Sequence, residues 1–218
     1  MLVIFDLDGT LVDSRRDLSD ASNDMLASYG AAPLAEEEVG TMVGEGAAVL
    51  VARLLAARAL DVPQDAALAR YLAAYDRRLL NHTRAYDGIP AALDDLSAFA
   101  SLAVLTNKPT AATIRVLDGL DLRRRFPWVI GGDSPYGRKP APAGLQALIA
   151  SAADHAERTV LVGDSAIDVR TARAAGVQVC LARYGFGFAT MPADVLDGSE
   201  LVVERPADLS PVLAAFRS

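Results

Sequence analysis

Short, uninterrupted apolar runs recur along the chain, and stretches with helical periodicity separate most of them. These runs lie at positions 2–5, 102–105, 128–130, 159–162, 178–182 and 201–203. Runs of this length without polar alternation are typical of strands that are buried on both faces of a parallel sheet. Strands that alternate with helices predict an α/β fold, here a doubly wound and mainly parallel sheet.

The segment between the first two runs has no strand pattern. Positions 14–29, 36–43, 47–60 and the stretch from Pro63 onward carry apolar residues three or four apart, which predicts about four helices. Ser14 and Asp17 resemble a capping pair for the first helix. We therefore expect residues 14–82 to form a small helical domain, inserted into an α/β core of residues 1–13 and 83–218. The turn-rich stretch 86–90 is a candidate hinge.

Composition excludes several classes of protein. The chain has 218 residues and a net charge of −7, which argues against a nucleic-acid partner, because nucleic acid favours a basic face. No apolar run approaches the roughly 18 residues that a membrane span needs. The single cysteine, Cys180, lies in an apolar run and cannot form an internal disulfide, so we expect a cytoplasmic protein with a buried thiol. The sequence leaves a monomer and a homodimer open.

Polar side chains follow several of the predicted strands at the point where each strand ends. They are Asp6 and Asp8 after the first strand, Thr106, Asn107 and Lys108 after the second, and Asp164 and Asp168 after the fourth, with Lys139 in a loop that leads into a helix. The carboxyl ends of parallel strands meet at one edge of a sheet, so we expect these groups to lie together. Carboxylates with a hydroxyl and a lysine suit phosphoryl transfer assisted by a hard cation.

The chemistry of these groups predicts a covalent mechanism. Asp6 would attack phosphorus and become an aspartyl phosphate. Mg²⁺, held by Asp6, Asp164 and the backbone carbonyl of Asp8, would screen the charge of the phosphate ester. Asp8 would protonate the leaving oxygen and later deprotonate the attacking water.

The remaining groups would handle the phosphoryl oxygens. Thr106 and the Asn107 amide would bind them, and Lys139 would neutralise charge beside Asp6. Each group also has a structural alternative. Thr106 and Asn107, like Asp164 and Asp168, could cap helices, and Lys139 could be a surface lysine before a proline turn. Lys108 could hold phosphate or face solvent.

Four motifs together resemble those of the haloacid dehalogenase-like hydrolases. They are DLDGTLVDS at 6–14, TNKP at 106–109, KP at 139–140 and GDSxxD at 163–168. The resemblance implies a Rossmann-like core, Mg²⁺, Asp6 as nucleophile and Asp8 as acid and base. It also implies that Asp164 is a metal ligand, that Asp168 supports the site, and that the helical insert is a cap over the substrate.

Softer matches are most similar to the phosphoglycolate phosphatase branch of that family. They lie at 44–47, 130–133 and 184–185, whereas the approach to Lys139 at 134–138 departs from the branch pattern. We therefore expect a Mg²⁺-dependent phosphatase that acts on a small phosphorylated metabolite, with 2-phosphoglycolate as the best candidate. A phosphosugar mutase, a phosphatase for another small metabolite and a non-catalytic binding module are the alternatives. His82 and His155 lack ligand spacing and are expected at the surface.

Overall fold

A computed structural model of the chain describes residues 1–217, and its centre is a six-stranded, all-parallel sheet in the order β5-β4-β1-β6-β7-β8. The strands are β1 Leu2–Phe5, β4 Ser101–Leu105, β5 Trp128–Ile130, β6 Thr159–Gly163, β7 Gln178–Ala182 and β8 Leu201–Val203. All four residues of β1 are fully buried between β4 and β6. The predicted parallel, doubly wound sheet is therefore confirmed.

Helices cover both faces of the sheet. Helices α5 Ile89–Ser97, α6 Thr110–Gly119 and α9 Leu209–Arg217 lie on one face, and α7 Ala143–Ser151 and α8 Ala166–Ala175 lie on the other. Successive side chains of β1 alternate between these layers, because side chains of a strand point to opposite faces. Val3 and Phe5 belong to the core under the first layer, whereas Leu2 and Ile4 belong to the core under the second.

The predicted helical segment is also present, and we call it the helical insert. It comprises α1 Arg15–Ala27, α2 Glu36–Gly40, α3 Ala47–Ala57 and α4 Gln64–Arg78. Helix α1 packs against α2, α3 and α4. The chain enters and leaves the insert through β2 Val12–Asp13 and β3 Arg84–Ala85, which pair antiparallel. Two-residue strands carry no periodic pattern, which is why the sequence did not predict this pair.

The predicted capping pair of α1 is wrong. Ser14 makes no side-chain cap; its hydroxyl instead donates a 2.6 Å hydrogen bond to Asp8 Oδ1. Asp17 is buried and accepts hydrogen bonds from the backbone N–H groups of His82 and Thr83 and from the Thr83 hydroxyl. A buried carboxylate needs such partners, and here they come from the far end of the insert. Asp17 therefore joins the two crossings between insert and sheet.

Candidate active site

Three carboxylates meet at the carboxyl ends of β1 and β6. Asp6 and Asp164 each follow directly after their strand, and Asp168 lies in the first turn of α8. Each offers an oxygen within 4.8 Å of the others. The two strands are neighbours in the sheet although more than 150 residues separate their sequences, so the topology alone brings these groups together.

Lys139 lies between two of these carboxylates and is only 5% exposed. Its Nζ is 2.9 Å from Asp6 Oδ1 and donates a 2.6 Å hydrogen bond to Asp168 Oδ1. Asp168 also accepts from the backbone N–H and the hydroxyl of Ser165, which completes a capping box at the start of α8. The helix-capping alternative for Asp168 is thus realised together with its contact to the lysine, and Lys139 is not a surface residue.

Burial and mutual repulsion shift the pKa values of this cluster. Burial raises the pKa of Asp6 to about 6, and the charges of Asp168 and Asp8 add to the rise while Lys139 opposes it. Burial, with the charges of Asp168 and Asp6, also holds the pKa of Asp164 well above its ordinary value. Burial would lower the pKa of Lys139, but Asp168 and Asp6 outweigh it and raise that pKa. The cluster therefore carries an excess of buried negative charge that a cation would relieve.

Glycines make room for Asp164. A Cβ on Gly9, whose φ is +87°, would lie 2.0 Å from Asp164 Oδ2, and one on Gly185 would lie 2.3 Å from Asp164 Cβ. Gly187 donates a 2.7 Å backbone hydrogen bond to Asp164 Oδ2. Only residues without a side chain allow this approach of two backbone segments, at Gly9 and at 185–187, to one carboxylate. The sequence did not predict the role of Gly187, because it lies more than twenty residues after Asp164.

Asp8 lies at the same sheet edge but contacts different groups. Its Oδ1 accepts from Ser14, and its two oxygens accept from Lys108 Nζ at 2.8 and 2.7 Å. Lys108 is 7% exposed, and its Nζ lies 4.7 Å from the centre of the Tyr75 ring. The solvent-facing alternative for Lys108 is therefore wrong: the lysine points inward, between Asp8 and the helical insert.

The Asn107 side chain makes hydrogen bonds to two loops, one at Gly44 and one at Lys139. Its Nδ2 donates to the backbone oxygens of Gly44 and Lys139 at 2.9 and 3.0 Å, and its Oδ1 accepts from the Lys139 N–H at 2.8 Å. Both amide protons are used, so a further acceptor would have to bind the backbone N–H of Asn107. The side chain thus holds the lysine loop in place and contacts the loop between α2 and α3 of the insert.

Thr106, which is buried, follows β4 and does not cap α6. The N–H and hydroxyl of Thr110, at the start of that helix, instead donate to Asp133 Oδ1 at 2.8 and 2.6 Å. The capping alternative for Thr106 and Asn107 is accordingly wrong. Both side chains remain at the sheet edge beside Asp6.

A cavity of about 290 Å³ opens between this sheet edge and the helical insert. Asp6, Asp8 and residues 106–109 line its lower wall, and α6 contributes a side wall. The insert supplies an apolar upper wall that includes Leu18, Val43, Leu50, Tyr71 and Tyr75. The rings of Tyr71 and Tyr75 are stacked, with centres 5.9 Å apart. Tyr75 is one of the buried residues of α4, and it also faces this cavity.

The other residues singled out in the sequence lie away from this cavity. His155 and His82 are exposed. His82 lies beside Asp17 and Asp20, but the Asp17 oxygens already accept hydrogen bonds from residues 82 and 83. Cys180 is buried, and burial raises its pKa to about 12. Within residues 1–217, every helix is too short or too polar to cross a membrane.

Comparison with known proteins places this site in a family. The model of the haloacid dehalogenase-like hydrolases matches residues 3–182. The phosphoglycolate phosphatase of Rhodospirillum rubrum is 46% identical over 192 residues, which is 84% of this chain and 80% of that protein. Phosphoglycolate phosphatase 1 of Pseudomonas aeruginosa is 40% identical over 217 residues, covering 96% and 78% of the two chains.

A solved structure shows the same fold over almost the whole length. The crystal structure of a predicted phosphoglycolate phosphatase from Haemophilus somnus has a TM-score of 0.90 and 29% identity, and the match covers 97% of this chain and 96% of that one. The family model matches the chain from β1 to β7, the part that contains the helical insert and the strand-end carboxylates. The chain belongs to the haloacid dehalogenase-like hydrolases, in their phosphoglycolate phosphatase-like branch, and is a phosphatase of that family's type.

Proposed function

We propose that this phosphatase hydrolyses 2-phosphoglycolate, with Mg²⁺ as its cofactor and an aspartyl phosphate on Asp6 as the intermediate. One observation carries the proposal: Asp6 lies at the end of the central strand, beside Lys139, Asp164 and Asp168, and lines the cavity under the helical insert. The names of the relatives from Rhodospirillum rubrum and Pseudomonas aeruginosa support the choice of substrate.

The residues present fit a magnesium ion. Asp6 Oδ1 is buried and, within residues 1–217, has no aligned hydrogen bond, only its ion pair with Lys139. The carboxylates of Asp6 and Asp164 would be ligands, together with the backbone carbonyl of Asp8, whose side chain is held by Ser14 and Lys108. Carboxylate and carbonyl oxygens are the ligands that Mg²⁺ prefers. When bound, the ion would screen the charge of the phosphate ester and polarise its oxygens.

The chain's own residues would carry out two displacements. In the first, an Asp6 oxygen forms a bond to phosphorus while the ester P–O bond breaks, and a proton from Asp8 goes to the leaving oxygen. In the second, water attacks phosphorus, Asp8 takes its proton, and the bond between phosphorus and the Asp6 oxygen breaks to release phosphate. Asp8 is restored to its protonated form at the end of the cycle.

Other groups would bind the phosphoryl oxygens. We assign this role to the Thr106 hydroxyl and the Asn107 backbone N–H, at the end of β4, and to the Lys139 ammonium. Asp168 would support the site by fixing Lys139, to which it is hydrogen-bonded. Donors that are held in place before the reaction stabilise developing charge without reorganisation.

We further propose that residues 14–82 are a cap domain, and that residues 1–13 and 83–218 are the catalytic core. The cavity between them and the hydrogen bond from Asn107 to Gly44 support this division. The paired crossings β2 and β3, with the turn-rich stretch 86–90, would be the hinge. Similar hydrogen–deuterium exchange at both crossings with and without a phosphate mimic would argue against such a hinge.

We also infer a reducing, cytoplasmic location. The inference is supported by Cys180, a buried free thiol with no second cysteine in the chain to pair with. Fractionation of cells that express the protein, followed by immunodetection, tests this inference; recovery in a secreted or membrane fraction would overturn it.

A panel of phosphomonoesters tests the substrate. We expect kcat/KM for 2-phosphoglycolate to exceed that for glycerol phosphates and hexose phosphates by about tenfold or more, the discrimination that one or two polar contacts provide. Release of free phosphate, measured in the same assay, separates hydrolysis from a mutase reaction. Faster turnover of a hexose phosphate, or return of the phosphoryl group to the substrate, would contradict the proposal.

Magnesium should stabilise the fold, and more so above pH 6. Because the pKa values of Asp6 and Asp164 are raised, the folded, metal-free protein binds more protons than the unfolded chain. Its free energy of unfolding therefore falls as pH rises from about 4 through the Asp6 pKa of about 6. Mg²⁺ binds the deprotonated carboxylates and reverses this loss. At about 100 times its Kd, Mg²⁺ should raise the free energy of unfolding by about 2.7 kcal/mol, which corresponds to roughly 5–10 °C in Tm.

The measurement is a thermal melt with and without Mg²⁺ at pH 5 and pH 7.5. We expect the larger increase at pH 7.5, and no increase for Asp164→Asn at either pH. Asp197→Asn, which changes a carboxylate that is not buried and pairs with Arg173, is the matched control and should keep the full increase. An equal increase at both pH values would show that the ion binds elsewhere.

A further inference from the structure

The Tyr75 hydroxyl is a buried donor without an acceptor. Tyr75 is 6% exposed, it lines the cavity, and its hydroxyl has no hydrogen-bond partner in the described part of the chain. Burial raises the pKa of this hydroxyl well above its usual value, so it stays protonated and can donate. A buried hydroxyl without a partner is destabilising, and phenylalanine would keep the ring contacts without that penalty. The hydroxyl is therefore placed to bind a ligand.

The ring of Tyr75 is held in one orientation. It stacks on Tyr71 at an interplanar angle of 9°, and the ammonium of Lys108 lies over the Tyr75 ring, 4.7 Å from the ring centre. Neither tyrosine lies on a loop; both belong to α4, the longest helix of the insert. A donor on a rigid helix loses little conformational entropy when it binds a ligand.

One N–H group of the Lys108 ammonium is not used in the hydrogen bonds to Asp8. An ammonium has three N–H groups, and the two oxygens of Asp8 accept two hydrogen bonds from Lys108. Among the described residues the third N–H has no oxygen or nitrogen acceptor, and the only other contact of the ammonium is the face of the Tyr75 ring. Lys108 and Tyr75 thus place an unused N–H and an unused O–H along the same cavity, one from the sheet edge and one from the insert.

The cations that line the cavity indicate where a second anionic group of a ligand, besides its phosphate, would bind. Among the described residues that line the cavity, the cations are Lys108 and Arg115. Arg115 is exposed and already paired with Asp76, which also lines the cavity. Much of the remaining wall is apolar, with Leu18, Leu50 and their neighbours. An anion there needs a buried cation, and Lys108 is the one that the wall provides.

We propose that the Lys108 ammonium and the Tyr75 hydroxyl bind a carboxylate that the substrate carries next to its phosphate ester. This inference rests on the proposed function and deepens it, because it names the two side chains that would recognise the carboxylate of the proposed substrate. Sugar phosphates would place several hydroxyl groups against the apolar wall, where they would find no partners, and would be rejected for that reason.

The test compares two substrates that differ only in the carboxylate. Ethyl phosphate has the same two-carbon chain as 2-phosphoglycolate but ends in a methyl group. In the wild-type protein kcat/KM should favour 2-phosphoglycolate, and Tyr75→Phe should lower this preference about 10–100-fold, the value of a hydrogen bond to a charged group. The loss should be mainly in KM. The Tm should stay the same or rise, since the variant removes an unpaired hydroxyl.

Two further variants complete the test. Tyr29→Phe is the matched control, because its hydroxyl is also buried without a partner but lies outside the cavity, and it should keep the preference. Lys108→Met should reduce turnover of both substrates, because it also releases Asp8, and should reduce that of 2-phosphoglycolate more.

The outcomes separate the inference from the proposed function. If the wild type prefers 2-phosphoglycolate and both Tyr75→Phe and Lys108→Met keep that preference, the carboxylate binds elsewhere and the inference is overturned while the function stands. If the wild type hydrolyses both substrates equally well, both the inference and the proposed substrate are contradicted. A loss of preference in both variants with the control unchanged supports the inference.

Discussion

Asp6→Asn is expected to lower kcat on 2-phosphoglycolate by about 10⁵-fold or more, as loss of a nucleophile does in other covalent mechanisms. An amide has nearly the shape of a carboxylate but does not attack phosphorus. The replacement also removes one of the two proposed magnesium ligands that carry charge. The loss should therefore extend to every phosphomonoester that the protein hydrolyses, ethyl phosphate included, and phosphate release over hours is the measurement.

The fold should survive this replacement. Burial raises the pKa of Asp6 to about 6, so above that pH the charged carboxylate of Asp6 destabilises the folded, metal-free protein. A neutral side chain removes this cost, and the metal-free Tm at pH 7.5 should not fall. Asp133→Asn is the matched control: Asp133 lies near the same sheet edge, accepts from Thr110 and is outside the acidic cluster. Retention of more than about 1% of activity by Asp6→Asn would exclude the aspartyl phosphate.

Lys139→Met is expected to damage stability and activity together. Among the described residues Lys139 is the cation in contact with both Asp6 and Asp168, and its removal leaves two buried carboxylates facing each other. Breaking a buried ion pair by removing one partner costs about 3–5 kcal/mol, which for a chain of this size corresponds to a fall of roughly 6–20 °C in Tm. Loss of a donor to the phosphoryl oxygens should lower kcat by about 10²–10³-fold.

A double variant separates the two effects. Lys139→Met combined with Asp168→Asn removes one of the two carboxylates that the single variant leaves without a cation, and we expect it to recover part of the lost Tm but none of the lost activity. Asp168 also caps α8 through Ser165, so recovery should be incomplete. If the single variant melts like the wild type, or if the double variant regains activity, the role proposed for Lys139 is wrong.

The sequence determined the sheet and its acidic edge because both depend on local patterns. The run at 2–5 lacks alternation of apolar and polar residues because both faces of β1 are covered, so all four of its residues are apolar. Asp6 and Asp164 could be placed together for a similar reason: each follows a parallel strand, and parallel strands end at one edge. The helical insert followed from its 3.6-residue period.

The partners of individual polar side chains were decided only by the tertiary structure. Ser14 looked like a cap and instead binds Asp8; Lys108 could face solvent or the site and points inward; Asn107 fastens the lysine loop to the insert. The partners of Lys108 and Asn107 lie 100 and 63 residues away, and Asp8 lies six residues before Ser14. Such contacts depend on how the loops at the sheet edge meet one another and the insert, and no local spacing encodes that packing.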